Sequence, residues 1–212
     1  MNAILGFSEL ALKKDDQASV REYVGDIKNS CMNLLAVIND ILDISKLDSG
    51  KAELSCSNYR SAALLQEVYH IIDIQAKKKG LLFEMNTDPQ IPNELYGDKT
   101  RIRGILINIL NNAVKYTEQG CVTFNVRMVK KDEKEVTMEF MVADTGIGLK
   151  KSSMEHLFDS FTRFDSQRNS NIEGTGLGLA IVKEIIQTHD EHINVISTEG
   201  VGTEFTFSLP KA

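Results

Sequence analysis

Apolar side chains recur three and four positions apart from the very start of the chain. Ile4, Phe7, Leu10 and Ala11 line one side of an α-helix, so the first residues already read as the middle of an amphipathic helix. Val24, Ile27, Cys31, Leu34, Ile38 and Ile41 then follow spacings of three, four, three, four and three, the seam of a coiled coil. Between Ser19 and Ser49 Gly25 is the sole glycine and there is no proline, which predicts one long helix. The short polar break from Lys13 to Ala18 joins the two segments as an antiparallel helical hairpin. Two helices sharing one apolar stripe bury it poorly alone. The stripe is therefore expected to pair with a second copy as a four-helix bundle, the alternative being that it packs on the following domain.

Gly50 marks a stop, and the periodicity changes after it. A dimerising hairpin over residues 1–50 and a second domain over residues 51–212 are expected. In the second domain, Ala52 to Tyr59 reads as a strand, Ser61 to Lys79 as a helix closed by Gly80, and Leu81 to Thr87 as a strand ending before Pro89 and Pro92. Asp98 caps a helix running to about Tyr116. CVTFNVRMV and VTMEFMVAD alternate as strands around a DEKE turn, and a polar stretch from Lys150 to Glu173 follows them. A helix over about Leu177 to Thr188 and the strands INVIST and TEFTFSL close the chain. Strands and helices mixed without strict alternation predict an α+β fold: a two-layer sandwich whose mostly antiparallel sheet carries helices on one face.

Composition removes several function classes. The 212 residues are 42% hydrophobic and 25% charged, ordinary for a soluble protein, and the net charge of -6 comes without a basic, aromatic-interleaved stripe. Nucleic acid is not an expected partner. Cys31, Cys56 and Cys121 are far apart and lack metal-site spacing, which suits a reducing compartment and buried small side chains. No apolar run is long enough to span a bilayer and no leader is apparent, so a cytoplasmic location without membrane contact by this chain is expected.

Three short patterns could carry chemistry. In NILNNAVKYT, Asn108 and Asn112 lie one turn apart on one helix face, and their amide oxygens are hard neutral acceptors suited to Mg²⁺. Two solvated asparagines would look the same. In DTGIGL, Asp144 can accept a hydrogen bond from an amino group, while Gly146 and Gly148 admit a flat ligand close to the backbone. In EGTGLGLAIVKEII, Gly174, Gly176 and Gly178 lead into a helix, whose first N–H groups and dipole suit a phosphate. This is neither a P-loop, lacking Gly-Lys-Ser/Thr, nor a Rossmann fingerprint, lacking the preceding strand.

Taken in order, these patterns resemble the ATP-binding domain of sensor histidine kinases, within the GHKL class of ATPases. NILNNAVKYT is similar to the N box, DTGIGL to the first Gly box, LFDSFTRFD to the F box, GTGLGL to the second Gly box and EGVGTEFTF to the closing segment. NDILDISKLDSGKAEL and YGDKTRIRGILINIL resemble stretches of hybrid-type kinases, so the likeness runs through all 212 residues. The resemblance implies ATP and Mg²⁺ as ligands, with Asn112 and Asn108 holding the metal. It implies that Lys115 and Tyr116 face the phosphates, and that Asp144, supported by Thr203, binds the adenine amino group. Gly146 and Gly148 would floor the base pocket. Gly174, Thr175, Gly176, Leu177 and Gly178 would wrap the phosphates under a lid formed by residues 150–173. Arg163, with Lys115, would act catalytically on the γ-phosphoryl, although a solvated lid arginine is as consistent with its place. Phe158 and Phe161 are expected to pack the lid.

Two departures stand out. Where the family ends its last helix with His-Gly-Gly, this chain has His189, Asp190, Glu191 and His192, whose turn must form without glycine. His70 and His156 are read as structural or surface residues. MNAILGFSEL resembles the tail of the H box, whose phosphoacceptor His lies six positions upstream, and residues 1–50 contain no histidine. The expectation is a kinase core without the usual acceptor: a chain that does not autophosphorylate, that pairs as a homodimer through residues 1–50 and that serves a response regulator receiver domain. The full-length protein could still be membrane-anchored. The competing expectation is a non-catalytic ATP-binding and dimerisation module.

Overall fold

The computed structural model describes residues 2–14, 16–48, 55–131, 136–162 and 175–211. Gly50, the DEKE turn, Arg163 and Gly174 lie outside the described residues. The chain divides into two compact units, Met1–Lys51 and Ala52–Ala212.

The first unit is the expected hairpin. Helix α1 (Asn2–Leu12) pairs with α2 (Gln17–Asp48), which runs unbroken through Gly25. Asp16 starts α2: its carboxylate accepts from the Ser19 N–H at 2.7 Å, which holds the Asp16 carboxyl below its ordinary range. Phe7 stacks on Tyr23 with ring centroids 6.3 Å apart and helps align the two helices. The stripe stays largely open in the single chain, with Val24, Ile38 and Ile41 between 45% and 54% exposed. Cys31 and Cys56 are exposed and Cys121 is half-buried, so the cysteines are not the buried side chains anticipated. On α2 the reason is that the face carrying Cys31 has no partner within the hairpin.

The second unit comprises β1 (Ser57–Arg60), α3 (Ser61–Lys79), β2 (Leu82–Thr87), β3 (Glu94–Gly97), α4 (Lys99–Tyr116), β4 (Cys121–Lys131), β5 (Val136–Asp144), a short α5 (Lys151–Met154), α6 (Gly178–Gln187), β6 (Ile193–Thr198) and β7 (Gly202–Lys211). The long strands form one sheet in the order β2-β4-β5-β7-β6, antiparallel except for the β2–β4 pair. Strand β3, absent from the sequence reading, pairs with β1 as a separate two-stranded ribbon. Helices α3, α4 and α6 cover one face of the sheet, giving the two-layer sandwich.

Alternation within the strands sets which face is covered. Phe124, Phe140 and Phe207 stack across β4, β5 and β7 with centroids 6.5 and 5.2 Å apart, beneath Ile105, Leu106, Ile109 and Leu110 of α4. Their neighbours Thr123, Asn125, Glu139, Thr206 and Ser208 point to the polar opposite face. Helix ends are chemically specified as well. Gly80 closes α3 at φ 71°, and buried Asp98 caps α4 by accepting from Arg101 N–H and, through its other oxygen, from Ser55 N–H, both at 3.0 Å. After α6, Asp190 takes φ 56°, the left-handed residue that the missing glycines leave to aspartate.

Candidate nucleotide site

The C-terminal half of α4 is the spine of the site. Its buried face leaves Asn108, Asn112, Lys115 and Tyr116 partly exposed on successive turns. The Lys115 ammonium lies 4.9 Å from the centroid of the Tyr116 ring, a cation–π contact that orients both side chains. Beside this end of α4, strands β5 and β7 place Asp144 directly opposite Thr203. The two residues expected to share one ligand group are thus cross-strand partners.

Asp144 is half-buried, and burial pushes its carboxyl above the ordinary range against the lowering effect of the Gly146 and Thr203 backbone N–H groups. The Gly146 N–H donates to Asp144 Oδ1 at 2.9 Å. This turn is wedged against α4, since the Ile147 N–H donates to the Tyr116 carbonyl at 3.2 Å. A methyl group on Gly146 would collide with that carbonyl oxygen and lie 2.8 Å from Asp144 Oδ1. Gly148, at φ 62°, packs against the Thr198 carbonyl just as tightly. Here glycine is a steric requirement.

A polar chain on β6 and β7 supports the same corner. Ser197 Oγ lies 2.9 Å from Thr203 Oγ1, donates to the Gly202 carbonyl at 3.1 Å and accepts from the Leu149 N–H at 2.8 Å. Ser197 therefore links the residue opposite Asp144 to the loop leaving DTGIGL. It was missed in the sequence, where it is one polar position in an alternating edge strand; the alternation tells only that it shares a face with Ile193 and Val195.

The second glycine cluster lies across α4. Asn108 Nδ2 donates to the Gly178 carbonyl at 3.1 Å, and a methyl on Gly178 would overlap the Asn108 amide. Gly178 is thus the close-approach point of α4 and α6, and Asn108 already spends one half of its amide on α6. Leu177 is fully buried, so its side chain belongs to the core and only its backbone faces the turn; the Leu177 N–H is held by Thr175 Oγ1 at 3.2 Å. Gly176, at φ 71°, accepts from the Phe161 N–H at 2.9 Å, which brings the middle of the F box onto the second Gly box. Phe158 is half-buried with the Lys183 ammonium 5.8 Å above its ring, whereas Phe161 is 67% exposed rather than packed.

Two of the four histidines have local polar partners. His156 Nδ1 lies 2.7 Å from Asp159, and His189 Nδ1 2.9 Å from the Ile185 carbonyl at the end of α6. Among the described residues no group of three or more His, Cys, Asp or Glu could hold a metal ion. A cation here would have neutral amide oxygens for protein ligands. Asn111, another residue the sequence reading passed over, adds on the same helix a buried amide oxygen without a hydrogen-bond partner among the described residues. That donor set fits a Mg²⁺ that takes most of its ligands from phosphates and water.

Residues 97–212 match the family of histidine kinase-, DNA gyrase B- and HSP90-like ATPases, and residues 1–50 match the His Kinase A (phospho-acceptor) domain. The chain belongs to the histidine kinases. It is 37% identical to the sensor protein GacS of Pseudomonas syringae pv. syringae over 214 residues, covering 100% of this chain and 24% of GacS. It is 33% identical to hybrid signal transduction histidine kinase B of Dictyostelium discoideum, over 99% of this chain and 11% of that protein. The crystal structure of full-length ShkA in complex with AMPPNP superposes with a TM-score of 0.77 at 31% identity, covering 100% of this chain and 43% of ShkA. The kinase chain thus spans at most about a quarter of the curated relatives named here. Its catalytic domain is of the GHKL type, an ATP-binding fold. No helix among the described residues is long and apolar enough to cross a membrane.

Proposed function

We propose that this chain is the Mg-ATP-binding catalytic core of a hybrid-type sensor kinase that transfers the γ-phosphoryl group of ATP to a histidine. The observation that carries this reading is the Asp144–Thr203 cross-strand pair above the Gly146 turn, next to the asparagine face of α4. Asp144 accepts from the adenine amino group, and the Gly146–Gly148 turn floors the base. Asn112, with Asn108 beside it, would hold Mg²⁺, which screens the charge of the phosphates when bound. Lys115 supplies a fixed positive charge toward the phosphates, and Arg163 is assigned to the charge that develops on the γ-phosphoryl. In the transfer, the bond from the γ-phosphorus to the bridging oxygen breaks as a nitrogen–phosphorus bond forms, and ADP leaves.

Residues 1–50 contain no histidine, so we place the acceptor on a segment or partner outside these 212 residues. The hairpin, matched to the phospho-acceptor domain and carrying an open apolar stripe, supports a homodimer through residues 1–50. The phosphohistidine then serves a receiver domain of a response regulator, in the cytoplasm, where ATP is available.

Incubating the chain with γ-labelled ATP and Mg²⁺, alone and with a helical hairpin bearing an intact acceptor motif, tests this reading. Label is expected on the added hairpin and not on the chain itself. Nucleotide binding with no transfer would favour the non-catalytic module, and absence of nucleotide binding would refute both.

A further inference from the structure

The C-terminus of α4 carries Lys115 and Tyr116, yet helix C-termini leave their last carbonyls without intrahelical donors. These carbonyls are met from three directions. Thr117 Oγ1 takes the Ala113 carbonyl at 2.7 Å, and the Ile147 N–H takes that of Tyr116. The others converge on one side chain: Lys79 Nζ donates to the carbonyls of Val114 at 2.9 Å, Lys115 at 2.6 Å and Thr117 at 2.8 Å. An ammonium has three donors, and all three are spent here.

Lys79 is the last residue of α3, immediately before the left-handed Gly80. It therefore ties the end of one helix to the end of the next with a positive charge at the negative pole of α4. We infer that Lys79 is a positioning residue of the nucleotide site, clamping the last turn of α4 so that Lys115 and the Tyr116 carbonyl hold the places from which they serve the phosphates and the DTGIGL turn. The inference rests on the nucleotide reading given above. It does not require Lys79 to touch the ligand.

The test is Mg-AMPPNP affinity of the full chain by titration calorimetry, with thermal unfolding measured in parallel. Lys79→Met keeps the stem and removes the donors; it should raise Kd about threefold to tenfold with helix content preserved. Lys79→Arg keeps the charge and offers several donors, and should restore Kd to within about twofold of the unmodified chain. Ile72→Val, in the buried core of α3, serves as a comparison for general loss of stability and should leave Kd unchanged. Equal Kd for Lys79→Met and the unmodified chain overturns the inference, as does an equal weakening by Ile72→Val. Failure of the unmodified chain to bind Mg-AMPPNP overturns the nucleotide-site reading and this inference with it.

Discussion

Two glycines of the second unit should respond to the same substitution with opposite signs. Gly146 is buried, and an added methyl would collide with the Tyr116 carbonyl oxygen while standing 2.8 Å from Asp144 Oδ1 and 2.9 Å from the Tyr116 carbonyl carbon. Relief requires the turn or the end of α4 to move by about 0.5 Å or more, because ordinary contacts lie near 3.5–4.0 Å. Overpacking of this kind costs about 1–3 kcal/mol, and the strained Ile147–Tyr116 hydrogen bond adds about 0.5–1.5 kcal/mol. Gly146→Ala should thus destabilise by about 1.5–4.5 kcal/mol, lowering Tm by roughly 3–18 °C for a domain of this size. Because the displaced atoms are those proposed to floor the base pocket, Mg-AMPPNP affinity should fall about tenfold or more.

Gly104 is the counterpart. It sits exposed inside α4, where an added methyl would meet no described residue within 4 Å beyond the helix's own backbone. Gly104→Ala should stabilise by about 0.5–1 kcal/mol through helix propensity alone, leaving nucleotide affinity unchanged. Scanning calorimetry and nucleotide titration on the two variants provide both readouts. A Gly146→Ala chain that melts and binds like the unmodified one would refute the packing argument, and with it the place assigned to the adenine floor.

Asp144→Asn should separate stability from binding. Burial raises the folded-state carboxyl pKa above its unfolded value, so the stability this group contributes is full below the unfolded value, near pH 4, and is lost as pH rises through the folded value. The variant should therefore melt above the unmodified chain at pH 7, with the gap closing toward pH 4, while losing a charge-assisted hydrogen bond to adenine of about 1.5–3 kcal/mol, about 10- to 150-fold in Kd. A Tm difference that grows on acidification, or an unchanged Kd, would contradict this. On the hairpin, Ile38→Glu places a charge in the exposed stripe and should convert a dimer to a monomer in light scattering; a variant as dimeric as its parent would move the interface elsewhere.

Much of the architecture was legible because local signals agreed with one another. Ser61 to Lys79 with Gly80, and Asp98 to Tyr116, are helices whose start and stop residues act within one turn, and the structure ends them at the same residues. The alternation of β4 and β5 placed Phe124 and Phe140 in the core because a pleat has a period of two. Strand β3 escaped notice: ELYG is four residues behind two prolines, too short for a period, and it exists because β1 offers it a partner. The motifs likewise named Asp144, Asn108 and Gly178, and the family resemblance added Thr203, but as separate stretches.

What those residues do to one another was decided by tertiary structure. Linear spacing carries no register, so only the β5–β7 pairing sets Asp144 against Thr203, and only helix packing turns Gly178 into the point where Asn108 meets α6. Lys79 is one of three consecutive lysines at a helix end, chemically equivalent to its neighbours until the fold brings the carbonyls of α4 within reach. The sequence by itself determined the helices, the long strands, their order and the candidate chemistry of the site, because caps, periodicity and side-chain chemistry act over a few residues. Distance between elements, and so the division of these residues between ligand binding and scaffold, arises only when the helices are laid on the sheet.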